Sequence, residues 1–109
     1  MRRFHMGRDD VDRMRARAKA LERRVEEAKK DLAKRAVEGS SAGGLVRACA
    51  SGDQTLLSIE IAPQAIDAAR AAELCAMVIE AVNQALARSK ELTRSVLDEA
   101  AGGVPIPGL

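Results

Sequence analysis

The first part of the chain carries apolar residues in a regular helical repeat. A stripe with alternating steps of three and four residues packs lengthwise against another helix. This stripe predicts a long helix over residues 10–36. Its members are Val11, Met14, Ala18, Leu21, Val25, Ala28 and Leu32.

The period of the apolar positions changes to two after the glycine-rich segment 39–44. Apolar residues alternate with others over 45–50 and again over 56–61, and Ser51-Gly52-Asp53-Gln54 between them is typical of a hairpin turn. A short strand through Val37 completes an antiparallel sheet with one apolar face. The predicted strands cover residues 37–41, 44–51 and 55–62.

The third strand leads into a second long helix. Leu57, Ile59 and Ile61 are expected to share one face of that strand. Pro63 closes the strand and suits a helix start, because its missing N–H and fixed φ cost little there. Residues 64–100 are rich in alanine and predict a helix whose first half covers the sheet and whose second half projects.

These elements give an α+β class: a long N-terminal helix, a three-stranded antiparallel sheet and a long C-terminal helix. We expect one domain over residues 10–101, a frayed or disordered segment 1–9 and a flexible Gly/Pro tail 102–109.

Two long helices carry more apolar surface than a three-stranded sheet can cover, and a chain of 109 residues buries only a modest fraction of its surface alone. We therefore predict an intertwined homodimer with projecting helices, its sheets meeting edge to edge or its helices packing across the axis. The expected interface residues are Val11, Met14, Leu21, Val25, Leu32, Val78, Val82 and Leu92.

Charge is divided unevenly along the chain. Residues 1–35 hold thirteen Lys or Arg against seven Asp or Glu, whereas residues 36–109 hold five against nine, which leaves the net charge at +2. A basic N-terminal part favours an anionic partner, nucleic acid before a membrane surface. An ordinary solvated coiled-coil exterior would give the same pattern.

The sequence offers no pattern for catalysis or metal binding. Cys49 and Cys75 have no Cys or His neighbour at metal spacing, and His5 is the only histidine available to activate Ser40 or Ser41. The acidic side chains of the sheet region do not form a carboxylate pair of the kind that serves acid–base catalysis. We expect no enzyme activity, cofactor, metal or small-molecule substrate, and the sequence assigns no role to either cysteine.

Charges interrupt every apolar stretch, so we expect no membrane span, and acidic residues stand where an export signal would need its apolar region. This predicts a cytoplasmic protein with reduced thiols. The single Phe and the absence of Trp and Tyr disfavour base stacking on single-stranded nucleic acid.

The order of several short motifs resembles the YbaB/EbfC family of bacterial nucleoid-associated proteins. The family pattern has Val-x-Gly, a glycine-rich turn, Gly-Leu-Val, an Ile-Asp-Pro strand end, an Asn-x-Ala element and a Gly/Pro-rich tail. Ala62 replaces the usual Asp before the proline, and arginine stands in the first helix where many relatives have Gln or Met. The matching positions are Val37, Gly39, Gly43, Gly44, Leu45, Val46, Gly52, Ile59, Ile61, Pro63, Leu74, Ala81, Asn83, Ala85 and residues 103–108.

The resemblance implies a nucleoid-associated homodimer whose long helices project like tweezer arms and bind double-stranded DNA with low sequence specificity, influencing chromosome organisation and gene expression. Arginines on an exposed helix suit this role because they neutralise phosphates without reading bases. The candidate DNA-binding residues are Arg13, Arg15, Arg17, Arg23, Arg24, Lys30, Arg88, Lys90 and Arg94.

A second hypothesis is a dimeric helical adaptor that binds a protein partner and has little DNA affinity. Acidic residues interleaved in the first helix favour it, because they dilute the positive field. These residues are Asp12, Glu22, Glu26, Glu27 and Asp31.

Overall fold

Two long helices flank a small antiparallel sheet in the computed structural model, which describes residues 7–102. The observed order confirms the predicted α+β class, and each strand lies within two residues of its predicted bounds. The elements are α1 (Arg8–Lys34), β1 (Ala36–Ser40), β2 (Val46–Ser51), β3 (Leu56–Ile61) and α2 (Ala71–Ala100).

Helix α1 begins and ends two residues earlier than the apolar repeat predicts. The Asp10 carboxylate accepts a hydrogen bond from the Gly7 N–H at 3.2 Å, which satisfies an amide at the helix start and lets the helix begin at Arg8. The helix ends at Lys34 because Ala36 already belongs to the sheet.

Helix α2 begins at Ala71, so the prediction of a helix from residue 64 was wrong by seven residues. Pro63 starts only a single 3₁₀ turn, Pro63–Ala65, and a second such turn covers Ala68–Arg70. Between them Asp67 has extended backbone angles, φ −141° and ψ 117°, and its carboxylate accepts the Ala69 N–H. This local side-chain bond competes with continuous helix.

The terminal predictions fall mostly outside the described residues. Residues 1–6 and 103–109 lie there, whereas residues 8 and 9, expected to be frayed, belong to α1. Gly102 closes α2 with a positive φ of 62°, and its N–H donates to the Glu99 carbonyl at 3.0 Å.

The strands pair in the order β1-β2-β3. The register sets Ala48 opposite Ile59, but it shifts after Cys49, so that Ala50 faces Leu56. Leu57 is therefore the extra residue of a β-bulge. The prediction that Leu57 continues the simple alternation of Ile59 and Ile61 was wrong for this reason.

The core between α2 and the sheet is built from small residues. Val46, Ala48, Ala50, Ala81 and Ala85 are each at most 1% exposed. Small side chains on both surfaces allow α2 to approach the sheet closely.

Helices α1 and α2 form an antiparallel pair beyond the sheet. Leu32, near the end of α1, packs against Gly52 of the hairpin, and Ala101, after α2, lies beside Leu21. Helix α1 therefore continues past the end of α2, and we call residues 8–20 the arm. The result is elongated, 79 × 29 × 16 Å with a radius of gyration of 21.7 Å, against about 13 Å for a compact domain of this length.

Candidate nucleic-acid interface

The basic run of the arm begins at Arg13, after Asp9, Asp10 and Asp12 at the start of the helix. Arg13, Arg15, Arg17 and Lys19 are all exposed, and no acidic residue occurs from residue 13 to residue 21. The three arginines are predicted DNA-binding residues that the structure brings together on one projecting segment. The sequence analysis missed Lys19, although it lies in the same basic run.

The basic side chains flank the apolar stripe on both sides. At about 100° per residue, Arg13, Arg17 and Arg24 fall on one flank, Arg15 and Lys19 fall on the other, and Arg23 faces away from the stripe. Each flank extends about 16 Å or less along the helix axis, at 1.5 Å per residue. The arrangement suits a series of phosphate groups rather than a single enclosed anion.

A shallow groove of about 500 Å³ lies where α2 ends against α1. Its floor is formed by Ala20, Leu21 and Ala101, and the guanidinium-bearing residues Arg17, Arg23 and Arg24 line the rest. The groove thus joins the arm to the paired part of the helices.

Ion pairs elsewhere neutralise part of the charge. In residues 7–102 they join Lys29 to Glu26, Arg35 to Asp31 and Arg70 to Glu73, all on exposed surface. None of them involves an arm residue.

The remaining predicted DNA-binding residues lie apart from the arm. Lys30 is exposed on the paired part of α1, and Lys90 and Arg94 are exposed on α2. Arg88 instead donates from Nη1 to the Glu38 carbonyl at 2.7 Å, which ties α2 to the outer edge of β1. The structure therefore gives Arg88 a structural contact, whatever else it binds.

Most of the predicted dimer residues make contacts within one chain. Leu32 is only 2% exposed, which corrects its assignment to a surface available for another subunit. Leu21, Val25 and Leu92 are half-buried in the helix pair, and Val78 and Val82 pack against the sheet core. Val11 is half-buried on the arm and Met14 is 55% exposed.

A different set of exposed apolar residues lies on β3, on the connection that follows it and on α2. Its members have exposures between 40% and 65%, which is high for large aliphatic side chains. The sequence analysis missed this surface because it assumed that α2 covers the whole sheet. The residues of this β3 surface are Leu56, Leu57, Ile59, Ile66 and Ile79.

The two edges of the sheet differ. Side chains of α2 bond to the backbone at the β1 edge, where Gln84 accepts the Ser40 N–H at 2.8 Å. Among the described residues, no hydrogen bond beyond the β2–β3 ladder reaches β3. The β3 edge therefore keeps free backbone groups beside its apolar residues.

The hairpin between β2 and β3 contains the one titratable group with a shifted pKa among the described residues. A hydrogen bond from the Ser51 hydroxyl, with a weaker one from Thr55, lowers the pKa of Asp53 from its ordinary value of 3.8. The Ser89 hydroxyl of α2 donates to the Ser51 carbonyl at 2.6 Å. This network fixes the hairpin and carries no reactive group in an exposed cleft.

Within residues 7–102 the structure contains no cluster of three metal-binding side chains and no helix long and apolar enough to cross a membrane. Cys49 is half-buried and Cys75 exposed, both as free thiols. The Ser41 hydroxyl is buried and accepts the Val46 N–H at 3.1 Å, so it serves the turn before β2.

Residues 6–104, nearly the whole chain, match the family model described as the YbaB/EbfC DNA-binding family. The chain belongs to the YbaB/EbfC DNA-binding family. This confirms the resemblance drawn from the sequence motifs. A nucleoid-associated protein of Caldanaerobacter subterraneus subsp. tengcongensis is 35% identical over 100 residues, covering 92% of this chain and 90% of that protein.

Another nucleoid-associated protein, from Desulforamulus reducens, is 40% identical over 79 residues, which cover 72% of this chain and 75% of the relative. Among solved structures, an uncharacterized protein of Helicobacter pylori matches with a TM-score of 0.66 at 14% identity, over 87% of this chain and 97% of the other. That likeness supports the fold of this YbaB/EbfC member.

Proposed function

We propose that this YbaB/EbfC protein binds double-stranded DNA as a homodimer, with low sequence specificity, through contacts between the basic arm and backbone phosphates. The observation that carries the proposal is the arm itself, an exposed helical segment with four cations and no acidic residue over 13–21. The names of its relatives support association with the nucleoid.

Phosphate contact explains binding without base recognition. Each phosphate neutralised by Lys or Arg releases condensed counterions, and this gain is independent of sequence. Cations on both flanks of the arm can approach a duplex from more than one direction. The described arm has no aromatic side chain to stack on bases or to insert between them, which fits a protein that contacts the phosphate backbone of DNA.

The β3 surface supports a dimer. Five large aliphatic side chains are left exposed on β3, on α2 and at Ile66 between them, and exposed apolar groups of this size mark an interaction surface when they lie together. The strand edge beside them can pair with a strand of a second copy, whereas α2 already occupies the β1 edge. Two copies joined in this way present two arms to DNA.

The proposal is tested by duplex binding measured over a range of salt concentrations by fluorescence anisotropy. The variant Arg13→Ala/Arg15→Ala/Arg17→Ala removes three candidate contacts. Because each phosphate contact contributes about 0.9 to the slope of log K against log salt, and the dimer loses three contacts on each of its two arms, we expect the slope to fall by up to about five units. Unrelated duplex sequences should compete almost equally.

A matched control removes three cations that the structure holds in ion pairs, with the changes Lys29→Ala/Arg35→Ala/Arg70→Ala. It alters net charge equally, so its slope should stay close to that of the unmodified protein. An equal fall of the salt slope in both triple variants would mean that net charge, rather than the arm, accounts for DNA binding. Absence of duplex binding at low salt by the folded protein would refute the proposal and favour the adaptor hypothesis.

A further inference from the structure

A second groove, of about 340 Å³, lies at the outer edge of β1. Two arginines line it, Arg47 from β2 and Arg88 from α2, together with residues 38–40 and Gly44. We call it the β1 groove. Two guanidinium groups at one groove suit phosphate oxygens, because each presents several N–H donors and keeps its charge. The β1 groove is therefore a candidate anion site separate from the arm.

The fold brings the two arginines together from distant parts of the sequence. The neighbours of Arg47 along β2 are buried against α2, so the strand alternation turns Arg47 to the open face of the sheet, across from Ser40. Arg88 reaches the same place from the strand edge, where its Nη1 donates to the Glu38 carbonyl at 2.7 Å. Within residues 7–102 neither arginine forms an ion pair, so both charges remain for a ligand.

One carboxylate, that of Glu38, also lines the β1 groove. Two cations against one anion leave the lining positive. Glu60 lies opposite Arg47 on β3, but it does not line the groove and forms no ion pair with Arg47. The Glu38 carboxylate should thus weaken anion binding without abolishing it.

The β1 groove lies on the same side of the molecule as one basic flank of α1. Ser95 follows Arg88 by seven residues, so the two share a face of α2. Ser95 also lines the cleft between the helices together with Arg24. Arg24 belongs to the flank that carries Arg13 and Arg17. This flank and Arg88 therefore face the same side.

The distance between the β1 groove and the arm matches one turn of duplex DNA. Ala101 lies beside Leu21 in the antiparallel helix pair. Arg88 precedes Ala101 by thirteen residues, and Arg13 precedes Leu21 by eight. At 1.5 Å per residue, Arg13 and Arg88 are about 32 Å apart along the helix axes. The helical repeat of B-form DNA is about 34 Å, so phosphates at this separation face the same direction.

We propose that Arg47 and Arg88 form a second phosphate-binding site, which contacts the duplex one helical turn away from the arm. The inference rests on the proposed DNA-binding function and adds to it a site on the sheet. Because a strand and a helix hold the two side chains, the site is fixed relative to the arm. Contact at both places directs the duplex along the long axis of the subunit.

The salt dependence of duplex binding tests the site, with a duplex of about 24 base pairs, which covers two helical turns. Arg47→Gln removes a cation whose side chain makes no hydrogen bond or ion pair within residues 7–102. Because the dimer loses one contact on each subunit, we expect the slope of log K against log salt to fall by about two units. Arg70→Gln is the matched control, since this guanidinium already pairs with Glu73, and its slope should stay unchanged.

Glu38→Gln tests the site in the opposite direction. It removes the carboxylate from the β1 groove and should tighten duplex binding by about two- to fivefold at low salt. Glu27→Gln makes the same change of charge at an exposed position of α1 outside the groove, and its gain should be smaller. Damage to the fold would not tighten binding, and circular dichroism checks the fold of every variant.

The outcomes separate this site from the arm. If Arg47→Gln kept the slope of Arg70→Gln while the arm variant lost its contacts, the second site would be refuted and the arm proposal would stand. Equal gains in Glu38→Gln and Glu27→Gln would also overturn the second site, because net charge would explain both. Absence of duplex binding by the unmodified protein at low salt would refute both proposals.

Discussion

Gly39 sits where the backbone of β1 comes closest to α2. A Cβ at this position would overlap the Ala85 backbone nitrogen and the Ala81 carbonyl oxygen. Neither atom belongs to a flexible side chain, so the helix as a whole would have to move. The glycine is thus required by packing, and this α2–β1 approach also holds the sheet core together.

We expect Gly39→Ala to lower the free energy of unfolding by about 3 kcal/mol, because overpacking against backbone cannot be relieved by a rotamer change. Urea unfolding followed by circular dichroism measures it. Glu38→Ala on the same strand is the control, since this side chain is exposed, and its effect should stay within about 0.5 kcal/mol. Equal stability of the two variants would contradict the close approach.

Asp53 predicts an acid-dependent contribution to stability. Its pKa is lowered in the folded chain, chiefly by the Ser51 hydroxyl, so the contribution is present above about pH 4 and is lost as the pH falls through the lowered value. Asp53→Asn should therefore be less stable at neutral pH. Its unfolding free energy should also fall less between pH 5 and pH 2, the range in which carboxyl groups ordinarily titrate.

Ser51→Ala checks the cause of this behaviour. It removes the main hydrogen bond to the carboxylate and should reduce the same pH dependence. Loss of the pH dependence in Asp53→Asn but full retention in Ser51→Ala would assign the shift to another neighbour.

The sequence drew attention to some of these residues, but it did not give the physical reason for their importance. Gly39 and Gly52 stood out as part of the family pattern, but their reasons are tertiary, because each faces the backbone of a helix distant in sequence. Arg88 looked like its exposed neighbours until the fold brought it to the Glu38 carbonyl. Local patterns cannot reveal contacts between residues 50 positions apart.

Among the elements, α2 does most to fix the hairpin. Ser89 accepts the Gln54 N–H at 3.0 Å and donates to the Ser51 carbonyl, and the Thr93 hydroxyl donates to the Gly52 carbonyl at 2.5 Å. One helix thereby positions both the turn and the two strands that it joins.

Ser89→Ala should lower the free energy of unfolding by about 1 kcal/mol, because it removes a buried hydroxyl that bonds both the Ser51 carbonyl and the Gln54 N–H, which keep only their own hydrogen bond of 3.0 Å. Chemical denaturation gives the value. Ser95→Ala, an exposed position on the same helix, should have almost no effect. If Ser89→Ala lowered the free energy of unfolding by less than Ser95→Ala, water would have to replace the hydrogen bonds of the hydroxyl.

The elements were largely predictable because apolar periods are local. Steps of three and four predicted both helices, and alternation predicted the strands. The start of α2 was not predictable from its alanines, since the Asp67 side-chain bond and the extended backbone there outweigh helix propensity over residues 64–70. The bulge at Leu57 likewise depends on pairing across strands.

For the whole molecule, the dimer proposal predicts a mass of twice 11.6 kDa in solution. Ile79→Asp places a charge on the β3 surface at a side chain 61% exposed, so the fold should survive while the second copy is lost. Light scattering with size-exclusion chromatography measures the mass, and circular dichroism checks the fold.

Met14→Asp is the control for the dimer experiment, since it changes a similarly exposed apolar residue on the arm. It should leave the mass unchanged. If Met14→Asp dissociated the dimer and Ile79→Asp did not, the interface would lie on the arm and not on the β3 surface. The sequence predicted an interface along the helices, which stays a prediction, and the exposure of the β3 surface could not be predicted because it depends on how far α2 covers the sheet.

A particle 79 Å long has a further consequence on a crowded chromosome. Laid along B-form duplex, with a helical repeat of about 34 Å, it spans about two turns. In the proposed dimer each subunit lying in this way would cover roughly twenty base pairs, so neighbouring dimers would exclude one another at high density. Length alone would set a minimum spacing and limit how many such molecules a given stretch of genome can hold.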